Sequence, residues 1–332
     1  MKRTSLALAI CVFVVLAPGS PACGAQQPGK VPEIGFLDPG PGTSPYFEGF
    51  QEGLRELGYV EGATIVLVPQ FADGKSDRLP GMASDLVRRK VDMIVTVGGA
   101  ATVAARNATR RIPIVMGYSG DPVAGDLVAS MAHPGGNITG LSALSSELAG
   151  KRLELLKAVV PKLTRVAVLS NPSHAGERLD WKETQTGARR LGVALEYVAV
   201  KAPDDFDKAF LNIDRVKNSR NRVDGIFVIP DALTLGQRAR IAEYAIKARL
   251  PTMAAWSEYT RAGALMSYGP NLRDVYRRTA GFVDRIIKGA NPADLPIEQP
   301  VKFEFVVSLK TAHALGLTIP ESILLQADEV IR

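Results

Sequence analysis

One short pattern of residues occurs twice in this chain, in the same order. The first copy runs Leu57-Gly58, then Val91-Asp92-Met93-Ile94, then Arg111-Ile112-Pro113-Ile114. The second runs Leu191-Gly192, then Val223-Asp224-Gly225-Ile226, then Arg249-Leu250-Pro251-Thr252, with nearly the same spacing between the first two pieces. Around each copy, short apolar runs alternate with stretches of helical periodicity. Strands flanked in this way form parallel sheets covered by helices on both faces, with right-handed crossovers. The expected fold class is therefore α/β, with two doubly wound parallel-sheet lobes joined by a multi-segment hinge.

In the first lobe, strands are expected at 33–37, 64–68, 91–97 and 112–116. Pro45 suits the first position of a helix whose N-cap is Ser44, and Phe47, Phe50, Leu54 and Leu57 mark its buried face. Gly58 ends that helix. A further helix is expected from the loop at Tyr118–Pro122 to about Met131. The cluster His133-Pro134-Gly135-Gly136-Asn137 breaks the chain before a crossing near Ile138 to Leu144. In the second lobe, strands are expected at 165–169, 195–200, 225–229 and 251–255. A segment at 264–268 is expected to return to the first lobe, ahead of a helix at 271–288, and an extended run at 299–307 to cross again. These boundaries give residues 1–25 as a leader, 31–141 plus 266–298 as lobe one, and 142–265 plus 299–332 as lobe two.

The leader reads as a secretory signal peptide: Lys2 and Arg3, an apolar stretch from Leu6 to Ala17, a break at Pro18, and small residues to Ala25. It is too short to span a bilayer as a mature helix. Both cysteines, Cys11 and Cys23, fall in this region. Cleavage after Ala25 leaves a mature chain without thiols and a free periplasmic protein. Cleavage before Cys23 leaves a cysteine for lipid anchoring, although Ser20 stands where a lipobox has leucine. The formal charge of +6 falls to +4 without Lys2 and Arg3, and the basic residues are scattered, so nucleic-acid binding is not expected.

Ligands of open parallel sheets sit beyond the carboxyl ends of the strands. Those loops are 38–46, 98–102 and 117–122 in the first lobe and 170–176, 230–234 and 256–259 in the second, with 267–270 near the later crossing. Ser44 and the Gly99-Ala100 turn stand at helix N-termini, where unpaired N–H groups favour an anion. Ser119 and Asn171 lie in the same loops. Asp121 and Asp231 read either as caps of the following helices or as carboxylates facing a cleft, and Glu258 either as such a carboxylate or as solvated surface. Tyr46, Tyr118, Trp256 and Tyr268, with Ser267 beside the last, can stack on a planar ligand or serve as packing.

Catalytic constellations are missing. His133, His174 and His313 are far apart in sequence, so neither a metal site nor any other cofactor is expected. Gly117-Tyr118-Ser119-Gly120-Asp121 has aspartate where a nucleophile elbow has its second glycine, and no P-loop is present. The expectation is a protein that is not an enzyme.

Several segments resemble the ABC transporter substrate-binding protein family related to tryptophan/tyrosine-type uptake proteins. They are Ile34-Gly35-Phe36-Leu37, the run from Phe50 to Tyr59, Asp77-Arg78-Leu79-Pro80, Pro134-Gly135-Gly136-Asn137-Ile138-Thr139-Gly140, Lys151 to Leu156, Leu265 to Pro270, and Ala327 to Ile331. The resemblance implies a type I periplasmic-binding-protein fold that closes around a small solute, such as an amino acid or aromatic compound. It also implies a monomer that delivers the solute to an ABC permease and ATPase at the inner membrane. A periplasmic sensor subunit serving a membrane receptor kinase or chemoreceptor would share the fold and the leader.

Overall fold

The computed structural model describes residues 30–332, apart from residues 43, 44, 124, 143–145, 174, 175 and 221. The leader and Ser44 therefore lie outside the described residues. Residues 32–332 form one compact body.

The first lobe is built from β1 (Glu33–Asp38), α1 (Pro45–Glu56), β2 (Val66–Phe71), α2 (Leu79–Arg89), β3 (Met93–Val97), α3 (Gly98–Ala108), β4 (Ile114–Tyr118) and β5 (Ile138–Gly140). The five strands are all parallel, in the order β2-β1-β3-β4-β5. Alternate side chains divide between two cores, as the period of two requires. Ile34, Phe36, Val95 and Val115 share a core with Phe50 and Leu54 of α1. Leu37, Ile94, Ile114 and Met116 face the other way, onto Leu79, Ala83 and Leu86 of α2 and Ala101 and Ala105 of α3.

The second lobe continues with α4 (Ala149–Val159), β6 (Arg165–Ser170), α5 (Glu177–Leu191), β7 (Ala194–Ala199), α6 (Asp205–Lys217), β8 (Gly225–Val228), α7 (Ala232–Gly236), α8 (Arg238–Ala248), β9 (Thr252–Ala254), α9 (Ser257–Arg261) and β10 (Met266–Pro270). After α10 (Leu272–Ile287) come β11 (Phe303–Ser308), α11 (Leu309–Leu315), α12 (Glu321–Leu324) and β12 (Glu329–Ile331). The sheet order is β12-β11-β10-β9-β8-β6-β7, with β11 antiparallel to β10. The stretch β7-β6-β8-β9-β10 repeats the 2-1-3-4-5 order of the first sheet.

That repetition corrects two sequence-based expectations. The segment near 266 does not return to the first lobe. It pairs with β9 as the fifth strand of the second repeat, so the chain crosses after Pro270 rather than before Met266. The helix expected to run to Met131 is a series of turns among the described residues. Pro122 and Gly125 do not favour a helix, and Asp126 takes a left-handed conformation with φ of 52°.

The repeated residues have repeated jobs. Asp92 Oδ2 accepts the N–H of Glu33 at 2.8 Å, and Asp224 Oδ2 accepts the N–H of Thr164 at 2.9 Å. In each lobe this aspartate ties the start of its strand to the start of the neighbouring one. Pro113 and Pro251 each offer a carbonyl, to Ile94 and Ile226 respectively, so both Arg-X-Pro pieces feed the next strand.

Helix α10 carries the chain back to the first lobe, where it packs along α1. Gly49 and Gly53 on α1 let the two backbones approach. A β-carbon on Gly53 would stand 2.1 Å from the carbonyl oxygen of Arg277. Glu52 and Glu56, one turn apart, pair with Arg273 and Arg277, each at 2.8 Å. The three connections between the sheets run close together: Ser142 N–H donates to Glu298 at 2.8 Å, and Asn271 N–H to Lys302 at 3.1 Å.

Candidate functional site

In a 2-1-3-4-5 sheet the chain reverses direction between the strands in first and third place, and the loops beyond their carboxyl ends splay apart. The first lobe opens there between Asp38-Pro39 and Gly98-Gly99-Ala100. The second opens between Asn171 and Asp231. The two switch points converge on one small cavity, about 20 Å³, which is room for a single water. Its wall includes Pro39, Gly98, Gly99 and Ala100 from one lobe and Asn171, Asp231 and Leu233 from the other. Ser76, Val97 and Ala232 also line it, together with four aromatic side chains: Tyr46, Tyr118 and Tyr276 from the first lobe and Trp256 from the second. Larger grooves exist, including one of about 620 Å³ beside β7 and α6. That groove lies beside the edge strand β7 and involves no switch point, which leaves the small cavity as the candidate site.

The aromatic wall is tightly built. Tyr46 and Tyr276 have ring centroids 4.8 Å apart, and Tyr118 meets Trp256 edge to face at 5.1 Å. The second contact joins the lobes directly. Trp256 also stacks on Tyr259, whose hydroxyl lies 2.8 Å from the Thr234 hydroxyl. Two polar atoms of the wall are buried without a hydrogen-bond partner, Trp256 Nε1 and the Tyr276 hydroxyl. Each such atom costs about 1–3 kcal/mol when unsatisfied.

Burial pushes the Tyr46 and Tyr276 hydroxyls well above the usual tyrosine range. The buried carboxylate of Asp38 adds to both. The N–H groups of Gly98 and Tyr118 act on the Tyr276 oxygen in the opposite sense without forming well-aligned hydrogen bonds to it. Both groups therefore stay protonated and able to donate. Asp38 itself accepts the Gly40 N–H at 2.7 Å. Among the described residues, no lysine, arginine or histidine lines the cavity, and Asp231 is the one carboxylate that does. Among the described residues, no cluster of three or more His, Cys, Asp or Glu side chains is placed to hold a metal.

The residues singled out in the sequence divide into two groups. Tyr46, Gly99, Ala100, Tyr118, Asn171, Asp231 and Trp256 all line the cavity. Asp231 is a helix cap that also lines the cavity. Its Oδ1 caps α7 by accepting Leu233 N–H at 2.8 Å and accepts Asn171 Nδ2–H at 3.0 Å. Asp121, Ser119, Glu258, Ser267 and Tyr268 are not part of the lining. Asp121 accepts Val123 N–H at 3.0 Å and borders a separate groove with Arg178 and Trp181 of α5. Ser119 is buried. Ser267, within the second sheet, accepts from the Thr260 hydroxyl at 2.7 Å, and Tyr268 packs on Phe305. Both are expected near the cleft because their segment precedes a crossing between the lobes, but their strand pairs with β9 and β11 in the second sheet.

Glu258 stands just behind the wall. Its Oε2 is buried without a partner, and burial raises its carboxyl above the ordinary 4.5 although Arg261 and Arg238 pull it down. Its charge acts on Tyr46 across the lobes.

Tyr276 escaped sequence reasoning as a cavity residue. Tyr276 falls on the apolar stripe of α10 and reads as core. The available signal was Gly117, a glycine inside an apolar strand, which marks a close approach by something else. That something is the Tyr276 ring.

Residues 35–331 match the family model described as ABC transporter substrate binding protein. The chain is 25% identical over 270 residues to a tyrosine-binding protein of Clostridioides difficile, covering 81% of this chain and 76% of that one. Among solved structures, a conserved domain protein from Vibrio cholerae has a TM-score of 0.83 at 26% identity, covering 91% of this chain and all of its own. An ABC domain from Streptococcus pneumonia, in complex with L-Trp, has a TM-score of 0.81 at 26% identity, covering 90% of this chain and 99% of its own.

Proposed function

The chain belongs to the ABC transporter substrate-binding protein family, and from that premise we propose that it is the extracytoplasmic solute receptor of an ABC importer. It captures a small molecule, an amino acid or aromatic compound, between its lobes and delivers it to a membrane permease and ATPase. The observation that carries this reading is the meeting of both switch points at one aromatic cavity walled by both lobes. The tyrosine-binding and L-Trp-bound relatives support the ligand class.

The mechanism follows from the size of the cavity. Small-molecule pockets usually hold about 300–1,000 Å³, far above the 20 Å³ between these lobes. Uptake therefore needs a more open arrangement, reached by bending at the three adjacent connections. Ligand contacts to both lobes then favour closure, with the Tyr118–Trp256 contact forming as the lobes meet. The protein acts as a monomer. Residues 1–25 are its secretory leader, removed after Ala25 to leave it free in the periplasm. Among the described residues no helix is long and apolar enough to cross a membrane.

A thermal-shift screen of the chain from Gln26 onward tests this, with L-amino acids, aromatic acids, purines and sugars as ligands. A solute at about a hundredfold over its dissociation constant adds roughly 2.7 kcal/mol of stability. Stabilisation by aromatic amino acids is the expected result. Stabilisation by sugars or purines alone overturns the ligand class, and no stabilisation by any solute overturns the receptor role.

A further inference from the structure

The donors in the cavity wall say how the solute is gripped. Two buried polar hydrogens have no protein partner, the indole N–H of Trp256 and the hydroxyl of Tyr276. They sit on opposite lobes, and both residues line the same cavity. Neither side chain is held there by hydrogen bonding. Trp256 is fixed by Tyr118 and Tyr259, and Tyr276 by Tyr46, Phe36 and the backbone of Gly117. Rigid rings carrying unused donors form a preorganised site for an acceptor. The N–H groups of Gly99 and Ala100, in the first turn of α3, belong to residues bordering the same space and favour the same kind of group.

We propose that Trp256 and Tyr276 form an uncharged two-donor clamp for the acceptor group of the solute, a carboxylate in the case of an amino acid, with one donor supplied by each lobe. This rests on the solute-receptor reading above and specifies its chemistry. A carboxylate is thereby held by uncharged donors: the indole N–H, the phenol O–H and the N-terminus of α3. The clamp also couples binding to closure, because one acceptor can satisfy both donors only when the lobes are together. Trp256 thus acts as a hydrogen-bond donor as well as an aromatic wall.

The test is calorimetric titration of the chain from Gln26 onward with L-tryptophan and L-tyrosine, and with tryptamine and tyramine, which lack the carboxylate. Trp256→Phe and Tyr276→Phe each remove a donor and keep a ring. The native chain should prefer each amino acid over its amine by tenfold or more. Each variant should lose about tenfold for the amino acids and little for the amines. In a Trp181→Phe background, the remaining indole ¹⁵N–H resonance should move downfield on adding L-tryptophan or L-tyrosine. Equal losses for acids and amines, or no loss in either variant, overturn the clamp and leave the receptor reading intact. Failure of the native chain to bind either amino acid overturns the amino-acid reading and the clamp with it. Far-ultraviolet dichroism and melting temperature of each variant separate loss of a donor from loss of the fold.

Discussion

The ring of Tyr276 lies so close to Gly117 that a β-carbon on the glycine would stand 2.0 Å from Tyr276 Cε1. A helix of the first lobe is thereby docked onto a strand of its sheet through a missing side chain, and the docking sets where the Tyr276 hydroxyl points. Gly117→Ala should push Tyr276 out of the cavity wall. Overpacking of this kind costs about 1–3 kcal/mol, measurable by denaturant unfolding. Ligand affinity should fall with it. An unchanged stability would mean that α10 yields more easily than its packing on α1 implies.

Asn171 and Asp231 link two loops of the second switch point. Asp231→Ala removes the cap of α7 and the partner of Asn171 together and should cost about 1–2 kcal/mol. Asn171→Ala should cost less. The double variant should fall short of the sum by at least about 0.5 kcal/mol, because the two side chains share a hydrogen bond. Strict additivity in a double-mutant cycle would show that the bond contributes nothing.

Asp224 carries a pH signature. Burial raises its carboxyl, but hydrogen bonds from the Thr164 hydroxyl and from the N–H groups of Thr164 and Arg165, with Arg222 nearby, outweigh this and hold it below the ordinary 3.8. A depressed folded-state value stabilises the fold above the unfolded value and loses that contribution as pH falls through the folded one. Asp224→Asn should therefore be less stable than the native chain at neutral pH, with the gap closing below about pH 3.8. A gap independent of pH would assign the loss to packing.

Glu258 has the opposite sign. Burial, followed at a distance by Glu304, raises its carboxyl above 4.5 against the pull of Arg261 and Arg238. A raised folded-state value means that stability is greatest below the unfolded value and is lost as pH rises through the folded one. Glu258→Gln should be more stable than the native chain at pH 7 and should lose that advantage on acidification toward about 4.5. Melting curves across pH 4–8 check this. A variant less stable than the native chain at pH 7 would mean that the charge is matched by its arginines.

How much of the site was legible varied with the kind of information each residue carries. Asp231, Tyr118 and Trp256 could be found because strand ends and the ligand rule for parallel sheets pick out their loops. The strand holding Ser267 and Tyr268 was assigned to the wrong lobe because a five-residue segment, Met266 to Pro270, does not reveal which sheet it joins. The repeat could have placed it, since β5 and β10 are equivalent, but their sequences share too little for the fifth strand to be seen.

By itself the sequence determined two parallel α/β units in tandem, their helix and strand faces, and the loops from which a binding site could be drawn. These are local properties, set by apolar periodicity, capping residues and the recurring Val-Asp and Arg-X-Pro pieces. Only the tertiary structure decided that β10 completes the second sheet, that α10 brings Tyr276 to the cavity, and that Tyr118 meets Trp256 across the lobes. The first rests on Met266 pairing with Met253 and Val307, and the other two on contacts between residues more than a hundred positions apart, Tyr276 with Gly117 and Tyr118 with Trp256. They follow from how helix and sheet surfaces fit together, through gaps such as Gly117, Gly49 and Gly53, and no local pattern encodes that fit.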